Sequence, residues 1–407
     1  MSTIAAPTRP RKADADQATV DNRPVERIHY LDNLRALAML LGVYLHSAFA
    51  YAKPSQSIWL ATDPSGSTLV DASIWLIHLF RMSLFFFLAG YFAGQATQKK
   101  GVRTFLRNRA IRIVVPLVIC YPFLLGAMTA VIVFAINYLE TPTGLMGLIA
   151  QGAKSETAVP REASWTTMHL WFLYYLCMFT ALSAMASCMR CHAFVDWARG
   201  WRRSICLVIA PVILLPAVLA AGIPLPAPES FVPTWWPFAF YGLFYVAGWR
   251  LKDLESVLES LSHLTLRITF VSLAAFPVYF ATMPSLDLDR IVAGESSISP
   301  WDFPTATMLT AVLSVSLTLA SLLLGRRFLN KRSAFLAFMA DASYWIYLVH
   351  LPIAIFLQVL QLPLHWPVAV KLSVTLGGTL LFCMATYVVF VRYTLVGWIL
   401  HGKRLFP

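Results

Sequence analysis

Residues 30–51 read YLDNLRALAMLLGVYLHSAFAY. Asp32 and Arg35 stand at the mouth of an apolar run, and His46 lies deep inside it, eleven residues beyond the arginine. At ~100° and ~1.5 Å per residue, eleven residues make three helical turns with only ~20° of drift. Arg35 and His46 therefore share one face, ~16 Å apart along the axis, and Asp32 joins them from the preceding turn. A stretch this long and this apolar predicts a membrane-crossing helix. An ionisable side chain at the centre of such a helix costs about 3 kcal/mol on insertion scales, so it faces the protein interior and is a candidate for function.

The rest of the chain repeats the pattern. Of 407 residues, 58% are hydrophobic and 13% charged, with a mean hydropathy of +0.66, whereas soluble domains carry roughly 25% charged residues. Apolar windows recur near 33–53, 70–95, 113–138, 167–188, 204–222, 235–250, 267–284, 304–324, 336–359 and 367–399. The expected fold is an all-α integral membrane protein, a polytopic bundle of about ten transmembrane helices. A polar, basic tail over residues 1–29 reads as disordered, the transmembrane domain as 30–400, and a short tail as 401–407.

The net charge of +12 does not indicate nucleic acid, because Lys and Arg fall in short clusters between apolar runs. Those clusters (the N-terminal tail, Lys99–Arg112, Arg190–Arg203, Arg250–Arg267, Arg326–Arg332, and Lys403 with Arg404) occupy alternate connections. The positive-inside rule puts them, and both termini, in the cytoplasm. The other connections, near 54–69, 139–166, 223–234, 285–303 and 360–366, are nearly free of Lys and Arg. Six cysteines, most of them in or beside apolar runs, imply no disulfide framework. Residues 188–192, CMRCH, match the pattern for covalent haem attachment, but the neighbouring arginines place that loop on the wrong side for haem. No metal-site spacing and no phosphate-binding Gly-rich loop appears.

The remaining intramembrane charges are few. His78 and Arg81 sit one turn apart in the second span, ahead of FFFLAGYF, residues 85–92. An arginine in mid-span needs a carboxylate, backbone carbonyls or a substrate anion. Arg109 and Arg112, in RNRAIRIVVP, lie one turn apart at the cytoplasmic face and suit phosphates, or else serve as ordinary anchors, the favoured reading for Arg107. His169 opens the fourth span in MHLWFLYYL, where an interfacial role is the plain reading. The ninth span, DASYWIYLVHLP, holds Asp341 near its cytoplasmic end, Tyr344, a deeper His350, and a helix-kinking Pro352. His350 faces the same cavity as His46, or is a packing residue.

These residues resemble a known family. Arg35 followed by His46, RMSLFFFLAGYF (81–92), RNRAIRIVVPL (107–117), HLWFLYYL (169–176) and SYWIYLVHLP (343–352) are similar, in order, to the signature of membrane acyltransferase family 3, over nearly the whole chain from about residue 27. Within it the likeness is greatest to the branch that succinylates periplasmic glucans. The resemblance implies a bundle in the bacterial cytoplasmic membrane that moves an acyl group, succinyl or acetyl, from a cytoplasmic acyl-CoA to a carbohydrate hydroxyl on the far side. It implies His46 as the catalytic histidine and Arg35, Arg109 and Arg112 in donor binding or site integrity. Arg81 is a candidate for donor binding or oxyanion stabilisation, with Asp32, Asp341, Tyr344, His350 and His169 as support. No bound cofactor or metal is expected, and the partners are the donor, the acceptor and the lipid bilayer. The competing reading is a transporter that uses the midplane His and Arg residues as a relay.

Overall fold

The structure, a computed structural model, describes residues 29–53, 55–154, 166–188, 203–284, 298–331 and 333–401. The N-terminal tail through residue 28, most of CMRCH with its neighbouring arginines to Arg202, and the C-terminal tail after His401 lie outside the described residues. Among the described residues the regular structure is helical apart from two isolated bridges, Ala52 with Ser67 and Thr166 with Ser230.

The helices are α1 (His29–Ala48), α2 (Thr68–Arg109), α3 (Val115–Tyr138), α4 (Gly144–Lys154), α5 (Trp171–Cys188), α6 (Arg203–Ala221), α7 (Trp236–Trp249), α8 (Leu251–Ser260), α9 (Thr265–Ala281), α10 (Asp302–Phe328), α11 (Ala334–Gln361), α12 (Val368–Thr386) and α13 (Leu395–His401). Every expected span coincides with a helix. Among the described residues, seven helical runs are long and apolar enough to cross a membrane, one of them the 71-residue run Thr68–Tyr138. That run contains two expected spans: Gly101, at φ +74° and ψ 163°, breaks the helix between them, a conformation that only glycine adopts cheaply. Apolar α6 and the 14-residue α7 are shorter. The chain is a multi-pass helical membrane protein.

Three differences from expectation have physical causes. The single span expected over 367–399 ends at Thr386, continues as a π-helical turn Tyr387–Arg392 and restarts as α13; uniform apolarity masks such a change of backbone register. The loop expected over 139–166 contains α4. The basic connection after α7 contains α8, LKDLESVLES, whose Leu251, Val257 and Leu258 are buried. A ten-residue amphipathic helix is averaged away in a 19-residue hydropathy window.

Two contacts set the frame of the bundle. Helix α2 packs along α7 with backbone against backbone: a Cβ at Gly248 would stand 1.8 Å from the carbonyl oxygen of Phe87, and one at Gly90 would stand 1.9 Å from that of Tyr245. Small residues four apart, here Gly90 and Gly94, permit such an approach in lipid. Gly248→Ala is expected to destabilise the protein by about 1–3 kcal/mol, read as a lowered thermal midpoint in detergent. An unchanged midpoint would mean that the two helices are free to part there. The second contact is α1 along α11. Asn33 Nδ2, in the first turns of α1, donates to the carbonyls of Leu329 (2.7 Å) and Lys331 (3.0 Å), just before α11.

At the opposite end, the segment between α1 and α2 folds back over α1. Asp63 accepts an ion-pair hydrogen bond from Lys371 of α12, at 2.5 Å, with the two side chains 0% and 2% exposed. Asp63 N donates to Ala50 O (3.0 Å) and Ser67 N to Tyr51 O (2.8 Å). The Tyr51 hydroxyl bonds Thr375 (3.1 Å), and Trp75 Nε1 donates to Ser55 Oγ (2.9 Å). These ties place Trp59 over the end of α1.

Candidate active site

The site assembles around His46. Its ring lies 5.7 Å from that of Trp59, nearly parallel at 23°, and 5.2 Å from that of His350. His350 in turn lies 5.3 Å from His169, edge to face. Three imidazoles from α1, α11 and the turn before α5 thus form one cluster in the bundle interior. Among the described residues no group of three His, Cys, Asp or Glu side chains has the geometry to hold a metal ion.

The hydrogen bonds orient the rings. His350 Nδ1 donates to the carbonyls of Ile346 (3.0 Å) and Tyr347 (2.8 Å), which leaves Nε2 buried without a partner. His169 Nε2 donates to Leu348 O at 3.0 Å, and its Nδ1 is buried without a partner. That acceptor exists because of Pro352: a proline lacks the N–H that would bond the carbonyl four residues earlier, so Leu348 O is left for His169. Pro352 lies inside α11, and its effect on the site is this released carbonyl. His169 also follows Met168, a non-glycine residue at φ +50°. Such backbone costs about 1 kcal/mol or more and persists where the surroundings hold it, here through Met168 N bonded to Thr166 Oγ1 (3.0 Å) and Thr167 Oγ1 bonded to Glu229 O (2.8 Å). The interfacial reading of His169 gives way: the residue is 6% exposed and packs on His350 and Tyr347.

His46 itself is half-buried, and its Nδ1 is buried without a hydrogen-bond partner. Its backbone is fixed by Gln358 of α11, whose Nε2 donates to His46 O (2.8 Å) and Ser47 O (3.0 Å) while its Oε1 accepts from Trp59 Nε1 (2.9 Å). One fully buried amide therefore aligns α1, α11 and the overlying segment at the histidine.

The arginines occupy two levels. Arg35 lies at the basic end, where Nη2 donates to Ala340 O (3.1 Å), Asp32 Oδ1 lies 4.0 Å away, and the guanidinium sits over the Phe92 ring. Arg109, the last residue of α2, stacks on Phe105, and Arg112 lies in the π-helical turn Ala110–Val114, so a wider turn than expected separates the pair. Arg109 is within electrostatic reach of Arg112 and of Tyr344, whose hydroxyl is buried without a partner. Asp341 is exposed. Arg81 is in the interior, 9% exposed, with a buried unpartnered Nε. The structure thus brings His46, His350 and His169 together, with the Arg81 guanidinium against α1 at Gly42, one turn before His46, and with Tyr344 within electrostatic reach of Arg109.

The description "Acyltransferase domain" fits a family model that matches residues 28–392. The chain belongs to the acyltransferase 3 family. As a member it is an integral-membrane acyltransferase. Curated relatives include proteins named "Glucans biosynthesis protein C". The protein of Salmonella paratyphi B is 26% identical over 352 residues, which covers 82% of this chain and 84% of the relative. Those of Salmonella paratyphi A and Salmonella dublin are 24% identical over 355 residues and 26% identical over 352, with the same coverage. No solved structure matches the chain.

Four contributors to this candidate site escape a search for ionisable residues inside spans. Trp59 and Asp63 belong to a connection that carries no periodic signal. Gln358 is uncharged, and its burial in an apolar span was the available sign. Lys371 is a charge four residues into the last expected span, and it pairs with Asp63.

Proposed function

We propose that this acyltransferase moves a succinyl or acetyl group from a cytoplasmic acyl-CoA to a hydroxyl of an extracytoplasmic glucan, across the bacterial inner membrane. The observation that carries this reading is the imidazole cluster around His46, ~16 Å inside the level of Arg35. Transfer from a thioester to an alcohol needs a base for the hydroxyl proton, and a neutral imidazole is suited to that near pH 7. As the hydroxyl oxygen bonds to the thioester carbonyl, the proton passes to His46. The tetrahedral intermediate then expels the thiolate, the C–S bond breaks, and the proton follows to sulfur. Arg35, Arg109 and Arg112 hold the donor's phosphates at the basic end, and Tyr344 lines the way between.

The glucan acceptor rests on the relatives' printed name. Acyl-CoA is a substrate here, and no resident cofactor is invoked. Mass spectrometry of envelope glycans from cells with and without the gene tests the reading. The expected result is a glucan population that carries an acyl mass increment only when the gene is present. Identical glycan masses in the two strains would rule it out.

A further inference from the structure

Among the described residues, nothing balances Arg81, a cation in the membrane interior. It is 9% exposed, and no ion pair or hydrogen bond ties it to another described residue. The groups within electrostatic reach are the phenols of Tyr347 and Tyr241 and the imidazoles of His46, His78 and His350; none is a carboxylate. Its guanidinium rests against α1 at Gly42, where a Cβ would stand 2.7 Å from Nη1. Gly42 lies four residues before His46 and seven after Arg35, so it shares their face, ~6 Å from one and ~10 Å from the other along the axis. Helical side chains lean toward the N-terminus, which swings the His46 ring over the turn that carries Gly42. Guanidinium and imidazole lie within electrostatic reach of each other.

An uncompensated buried charge costs several kcal/mol, so its natural counterpart is an anion that arrives already charged. The carbonyl of a thioester is neutral until it is attacked. The phosphates of a donor are needed at Arg35, a level ~10 Å away. The pantetheine arm between those phosphates and the thioester is uncharged, so the one further anion a donor can bring to the level of Gly42 is a charge carried on its acyl chain. We infer that Arg81, seated on Gly42, binds the free carboxylate of a dicarboxylic acyl group and so selects a succinyl-type donor over an uncharged one. A chain of four or five carbons, with three or four C–C bonds of ~1.5 Å, matches in length the one helical turn that separates His46 from the Arg81 seat at Gly42. The inference rests on the acyltransferase reading with His46 as reaction centre.

The test uses the full-length protein in lipid nanodiscs with a glucan acceptor, and compares succinyl-CoA with butyryl-CoA, which replaces the terminal carboxylate by a methyl group. The wild type is expected to prefer succinyl-CoA by at least ~100-fold in kcat/KM, since a buried polar group rejects an analogue that leaves it unpaired. Arg81→Met should bring that ratio to within about threefold of unity, and Arg81→Lys should retain part of it. Gly42→Ala, a smaller change that displaces the guanidinium, should lower the ratio at least tenfold. A wild-type ratio near unity overturns the assignment, as does a parallel fall of both rates in Gly42→Ala or Arg81→Met. No transfer from either donor by the wild type overturns the proposed reaction from acyl-CoA to glucan, and the inference with it.

Discussion

Replacing His46 with alanine is expected to lower acyl transfer ~10³-fold, within the usual range for loss of a general base. The folded protein should survive the change. The buried Nδ1 of His46 has no hydrogen-bond partner to be orphaned, and the bond from Gln358 goes to its backbone carbonyl. What is lost is ring packing on Trp59 and His350, so His46→Gln, which fills more of the volume, belongs in the same experiment. Initial rates should fall alike in both variants while chromatographic behaviour and thermal midpoint stay near wild type. Activity within tenfold of wild type in either would remove His46 from the chemistry.

Lys371→Met is expected to destabilise the protein by about 3–5 kcal/mol, because it strands the Asp63 carboxylate without its partner. Asp63 and Lys371 are essentially unexposed and joined by a single short contact, and Asp63 Oδ1 also accepts from Ser65 N at 2.9 Å. Asparagine at 63 keeps an acceptor for Ser65 without the charge. The double variant Asp63→Asn with Lys371→Met should therefore recover most of the loss, since uncharged replacement of a buried pair is often close to neutral. Thermal denaturation of the two single variants and the double closes the cycle. A double variant as unstable as the sum of the singles would show that the two groups act independently.

The larger features were legible because they depend on averages over many residues. Hydropathy located a helix at each expected span, and three turns of α1 with little drift placed Arg35 and His46 on one wall. His350 was legible as a deep histidine, and its meeting with His46 follows once α1 lies along α11. The finer parts depend on single contacts between distant segments, which no local pattern encodes. The stack of Trp59 on His46 requires a connection to fold back and be pinned by a lysine more than 300 residues away. Gln358 matters through two backbone carbonyls, and amides do not register in a search for charge. The role of Pro352 inverts the simple expectation of a kink: its importance is the carbonyl it releases to His169. Gly42 carries no charge and no motif marks it, and only the structure shows that its missing side chain is the seat of Arg81.

The bonds from Gln358 to the end of α1 also set a schedule for making the protein. They join residues 312 positions apart. At a synthesis rate of ~5–20 residues per second, α1 waits roughly 15–60 s before α11 can be delivered beside it. During that interval its imidazole is in the membrane without the helix that completes its setting. The nascent chain thus carries half of the candidate site through most of its own translation, and a ribosome that stops before α11 releases a membrane protein in which His46 lacks both His350 and Gln358.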